Sequence, residues 1–112
     1  MSPGKIAAQA AHVAVKAYVL GINTDAKSTS DWYSGSYAKI VLKASEYELR
    51  EILNNMPNIT VSTIDEGRTE ISKGSLTAIA FIPLDRDKVT DEIKCLKLLW
   101  DVKYGWKTKY TW

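Results

Sequence analysis

Polar side chains break an otherwise apolar stretch at Lys5, Gln9, His12 and Lys16. Steps of 4, 3 and 4 stack these side chains on one face of an α-helix. The other positions from Ser2 to Leu20 are mostly Ala, Val, Ile and Leu, which predicts a buried helix bearing one chemical stripe. Ala7, Ala8, Ala10 and Ala11 would let another element approach its backbone closely. Ser2 suits the N-cap and Pro3 the first helical position, and Gly21 can end the helix.

From Ile22 to Tyr37 the chain is rich in Ser, Thr, Asp and Gly, residues that favour turns, and it reads as a loop with at most a short helical turn. Trp32, Tyr33 and Tyr37 within it either pin the loop to the core or offer rings on which a base or ribose can stack. Residues Tyr37 to Ala44 alternate with a period of two and predict a strand with one partly wet face. Ser45 and Glu48 form a capping box, and Leu49, Ile52 and Leu53 carry a second helix as far as Asn54, Asn55 and Pro57. The charges Glu46, Glu48, Arg50 and Glu51 read as its solvated face.

Thr60 to Ile64 is short and β-branched, a strand that runs straight into the polar turn Asp65-Glu66-Gly67-Arg68-Thr69. Ser75 to Leu84 is apolar on both faces and reads as a central strand, stopped by Pro83. Val89 and Ile93, four apart among charges, predict a short amphipathic helix within 85–95, after which Leu96, Leu98 and Leu99 return to the core. From Trp100 onward the even positions are apolar, aromatic or β-branched and lysines recur at odd ones, so the tail scans as an amphipathic strand. Such a strand can be an added edge, a self-association surface or an aromatic and lysine strip for nucleic acid. Strands and helices alternate and the strands lie too far apart for tight hairpins. The expectation is an α/β single domain of three layers, a mixed β-sheet with helices on both faces.

Composition narrows the function classes. A chain of 112 residues, 46% hydrophobic and 25% charged, fits one globular core. A net charge of +2 gives no global argument for nucleic acid, so any such site must be a local cluster. The only cysteine, Cys95, and the only histidine, His12, make neither an internal disulfide nor a metal pattern, and a reducing compartment fits best. No run of roughly 18 apolar residues spans a membrane, and His12 and Lys16 interrupt the stretch that a signal peptide would need. A cytoplasmic protein is expected.

Three features carry candidate chemistry. Gly4-Lys5 at a helix start joins free backbone N–H groups to an ammonium, an arrangement suited to an anion. Asp65, Arg68 and Thr69 place a carboxylate, a fork donor and a hydroxyl on one turn, which also fits a structural Asx-type turn. His12 either shuttles protons or is a hydrogen-bonded core residue.

Taken together, Met1 through Gln9 and on to His12, Lys39 to Lys43, Ile64 to Thr69, and Gly74 through Pro83 resemble the type-2 peptidyl-tRNA hydrolase family, the archaeal and eukaryotic class. Leu96-Lys97-Leu98-Leu99 matches the place where members usually end, so residues 1–99 are expected to form the hydrolase-like domain and 100–112 a strand-like aromatic extension. The resemblance implies an enzyme that cleaves the ester between a stalled peptide and the terminal ribose of tRNA, a carboxylic ester hydrolase of translation and ribosome rescue with tRNA as partner and no cofactor. A homodimer is left open.

The residues matching the family's proposed site are Lys5, Gln9, His12, Asp65 and Thr69. Ester hydrolysis needs a positioned water, a proton acceptor and donors for the oxyanion. Asp65, helped by Thr69, is the candidate to orient or activate water. Lys5 would hold a phosphate or stabilise the oxyanion, and His12 would support. Gln9 would position the ester or ribose, with Lys16, Arg68 and Ser75 as further substrate-binding residues. Members carry a strand ahead of the Met-Ser-x-Gly-Lys region, so sequence before Met1, a partner chain or the tail would have to supply it. Ser36 and Ser75 stand where members usually have Gln and Thr, and Glu66 adds negative charge beside Asp65. The competing expectation is a non-catalytic relative that binds RNA or a protein through its tail.

Overall fold

The computed structural model describes residues 1–64 and 74–99 of the chain. Helix α1 runs Pro3–Thr24, α2 Ala26–Ser34, strand β1 Leu42–Lys43, α3 Glu46–Asn55, β2 Thr60–Ile64, β3 Leu76–Phe81, α4 Asp91–Lys94 and β4 Lys97–Leu98, with a 3-10 turn at Arg86–Lys88. The expected α/β domain is borne out. The strand pairs found among the described residues are antiparallel: β2 with β3, and β1 with β4.

The β2–β3 pair is the platform. Its register sets Thr60 opposite Phe81 and Thr63 opposite Ala78, then shifts so that Ile64 faces Leu76 and Thr77 is the extra residue. The Thr77 hydroxyl donates to the Thr63 carbonyl at 3.0 Å, satisfying an acceptor beside the bulge. Every β3 residue from Thr77 to Phe81 is half-buried whatever its parity, so both faces of the pair are covered. Helices α1 and α3 supply that cover.

Helix α1 starts as expected, with the Ser2 hydroxyl accepting from the Lys5 N–H and Pro3 in the first turn. It does not stop at Gly21. The helix continues to Thr24, and Gly21 is a buried point of close approach: a Cβ there would collide with the Thr29 hydroxyl and stand 3.1 Å from Pro83 Cδ. The buried positions are Gln9, Val13, Ala17 and Gly21, one stripe at four-residue steps. The opposite side is apolar yet open, with Val15 66% and Val19 54% exposed, so α1 is a one-sided surface helix and not a buried one.

The loop expected at 22–37 is largely helix. Asp25 explains why: its backbone N–H closes α1 on the Gly21 carbonyl, and its carboxylate accepts from the Ser28 N–H at 3.1 Å to start α2. That backbone bond holds the Asp25 carboxyl below the usual carboxylate range. Lys27 and Asp31 pair one turn apart at 2.8 Å, and Gly35 ends the helix.

The strand expected over 37–44 shrinks to Leu42–Lys43, paired with Leu98 and Lys97. Its first residues are taken by a turn in which Trp32 Nε1 donates to the Ala38 carbonyl at 2.7 Å. The capping box of α3 forms in both directions. The helix expected within 85–95 splits, because Val89 and Thr90 adopt extended backbone between the 3-10 turn and α4. The tail 100–112 lies outside the described residues.

Replacing Gly21 with Ala is expected to destabilise the fold by about 1–3 kcal/mol through overpacking against Thr29. Denaturant unfolding checks this, and adding Thr29→Ala should recover part of the loss.

Candidate active site

Four of the predicted site residues lie on α1. Lys5 is half-buried in the first turn beside Gly4, where a Cβ would meet nothing. Gln9 is 6% exposed, and its Oε1 has no hydrogen-bond partner among the described residues. A buried amide acceptor of this kind is where a donor is strongly favoured. His12 is exposed, so of the two readings left open for it the core histidine falls away: it lies just outside the buried stripe that Val13 continues. Lys16 is exposed too, and its Nζ donates to the Ser62 carbonyl at 2.8 Å. That bond ties the polar side of α1 to β2 two residues before the strand ends.

Asp65, Arg68 and Thr69 lie outside the described residues. Their frame is described. Ile64 and Leu76, the residues that open and close the segment, are partners in the β2–β3 register. Asp65 is the next residue in sequence after Ile64, the last of β2. Gly74 turns the chain back with φ +88, a left-handed conformation suited to glycine, and Ser75 is half-buried after it. The bulge at Thr77 sits at the same end of the ladder, the usual place for a device that re-aims a neighbouring side chain.

Glu46 lies on the exposed face that the sequence predicts, with Glu48, Arg50 and Glu51, and makes one contact that the pattern does not announce. Read as part of a solvated face, it reaches across thirty residues of chain: its Oε2 accepts from the Leu76 N–H at 3.1 Å and from Arg50 Nη2 at 2.6 Å and Nε at 3.1 Å. The Leu76 N–H, and then the Arg50 guanidinium, hold the Glu46 carboxyl below the ordinary glutamate range. The capping box fixes Glu46 at the start of α3, but no local pattern names a partner so distant in sequence. The two site flanks are thus pinned, one by Lys16 on Ser62 and the other by Glu46 on Leu76.

The model of the family described as Peptidyl-tRNA hydrolase PTH2 matches residues 1–99. The chain belongs to this family. Among relatives, the peptidyl-tRNA hydrolase of Methanococcus maripaludis strain C7 is 39% identical over 103 residues, covering 88% of this chain and 89% of the relative. That of Thermoplasma acidophilum is 30% identical, covering 86% and 88%. The mitochondrial peptidyl-tRNA hydrolase 2 of Bos taurus is 38% identical, covering 84% of this chain and 56% of the relative. The PTH2 match takes in both the α1 stripe and residues 65–69.

The Glu46 contact gives the fold an acid-sensitive point. A carboxyl depressed in the folded state stabilises above the unfolded glutamate range, and this contribution is lost as pH falls through the folded value. The stability gap between wild type and Glu46→Gln should therefore be present at neutral pH and close as pH falls through the depressed folded value, as unfolding curves across pH will show.

Proposed function

We propose that this PTH2 family member hydrolyses the ester between a peptide and the terminal ribose of tRNA, freeing the tRNA of stalled complexes in the cytoplasm. The observation that carries the reading is the bracing of α1, with its Lys5, Gln9 and His12, onto the strand whose end leads directly into Asp65. The names of its relatives support it. No helix among the described residues is long and apolar enough to cross a membrane.

In this scheme Asp65, helped by Thr69, takes a proton from water as the oxygen attacks the ester carbonyl. The Lys5 ammonium stands by the oxyanion that forms. Collapse of the intermediate breaks the bond to the ribose oxygen, which recovers the proton, so peptide acid and free ribose hydroxyl leave. Gln9, on the buried stripe of the same helix, positions the ester or ribose. His12 supports from the exposed side of the same helix. Lys16, Arg68 and Ser75 bind the tRNA. No metal or organic cofactor enters these steps.

Lys5→Ala and Asp65→Ala should each lower kcat for an N-acetylated aminoacyl-tRNA by about a hundredfold or more, with unfolding curves unchanged. Full activity in both variants would discard Lys5 as oxyanion partner and Asp65 as base, and tRNA binding without turnover by the wild type would mark a binding module.

The outward side of α1 is the surface to which we assign a homodimer contact. Ala8, Ala11, Val15, Val19 and Ile22 are exposed along it, an apolar stripe on a helix otherwise seated on its sheet. Sedimentation should give two chains for the wild type and one for Val15→Glu.

A further inference from the structure

Away from the α1 stripe, aromatic rings gather between α1 and the end of α2. Tyr18 lies 5.4 Å from Tyr33 between ring centroids. Trp32 stacks on Tyr37 at 4.8 Å with planes 29° apart, and Tyr33 meets Tyr37 edge-on at 5.5 Å. The Lys39 ammonium stands 3.4 Å from the Tyr37 ring centroid and 5.2 Å from that of Trp32. Tyr18 also lies 6.5 Å from the half-buried Trp32, so both Trp32 and Tyr33 join α2 to α1. That contact does not account for how open the rings of Tyr33 and Tyr37 remain, 56% and 49% exposed.

The backbone is held in an unusual shape to present them. Tyr37 has φ 52, a left-handed conformation that a bulky residue rarely adopts. Three bonds fix it: Tyr37 N–H to the Trp32 carbonyl at 2.9 Å, Lys39 Nζ to the Tyr37 carbonyl at 2.8 Å, and Trp32 Nε1 to the Ala38 carbonyl. The neighbouring carboxylate, Asp31, is already paired with Lys27.

We propose that this cluster is a stacking platform for an unpaired base of single-stranded RNA, with Tyr33 presenting the ring and Lys39 contacting the phosphate. Rings, an adjoining cation and a turn fixed before binding are the three components of sequence-tolerant single-strand recognition. The proposal deepens the peptidyl-tRNA reading and rests on it, since that substrate ends in an unpaired 3′ strand.

The test uses the full chain, a short single-stranded RNA ending in CCA, and a duplex RNA of equal length. Tyr33→Ala should weaken single-strand binding about tenfold by anisotropy, while Tyr33→Phe stays within about twofold of wild type. Binding of the duplex should be unchanged in both. Lys39→Ala should lower the slope of log affinity against log salt by about 0.7. Thermal melts of each variant verify folding. Wild-type affinity in a folded Tyr33→Ala variant, equal losses in the Ala and Phe variants, or no binding of the single strand by the wild type would overturn the platform. Absent hydrolysis of peptidyl-tRNA with this binding pattern intact would instead overturn the hydrolase reading and leave the platform standing.

Discussion

The antiparallel pairing of β2 with β3 is the constraint on which the rest depends. It brings Ile64 and Leu76 together at one end of the ladder, on either side in sequence of the stretch that contains Asp65 and Thr69. It also makes the surface on which α1 and α3 lie. A two-stranded pair is marginal in water on its own, and the helices on both faces are what make it stable. The pairing also explains the close approach at Gly21: with α1 flat on the pair, α2 can fold back only where α1 has no side chain, and buried Thr29 fills that gap.

Elements with their own termination signals were legible in the sequence. The Ser2 and Pro3 start of α1, the Ser45–Glu48 box of α3 and the β-branched run of β2 all appear where those residues place them. What misled were residues with two uses. Gly21 reads as a helix end because glycine commonly is one, yet it serves instead as a contact. The Ser, Thr and Asp of 25–34 favour loops until Asp25 caps them into a helix, after which the same residues are tolerated in it. The apolar run of β3 correctly reported two covered faces. Apolarity of the faces carries no information about the edges, and among the described residues β3 pairs with β2 alone.

For the site, the 4, 3, 4 spacing did place Lys5, Gln9, His12 and Lys16 along one side of α1, but spacing cannot say how deep each lies. The sheet covers Gln9 and leaves His12 and Lys16 in water. Around the axis Gln9 and Lys16 lie only about 20° apart and His12 about 60° from Gln9, so helical angle does not separate the buried residue from the open ones. Burial depends on what β2 and β3 place opposite each turn of α1, a tertiary quantity with no local signature.

Control of the chemistry follows from the same geometry. In the proposed mechanism Lys5 belongs to a helix and Asp65 comes next in sequence after the last residue of β2, so no local motif sets their separation. What the described residues fix is how α1 rests on β2 and how the start of β3 is held. Lys16 on the Ser62 carbonyl fixes the first, and Glu46 on the Leu76 N–H fixes the second. Both contacts lie on or near the protein surface, where single hydrogen bonds contribute little net stability. Reaction rates are more demanding than stability, because a misplacement of about 1 Å between reacting groups can cost a hundredfold. A contact of modest net stability then weighs more on geometry than on folding: in the proposed reading Glu46 acts by position alone, and Lys16 braces α1 at the edge of the surface that binds tRNA.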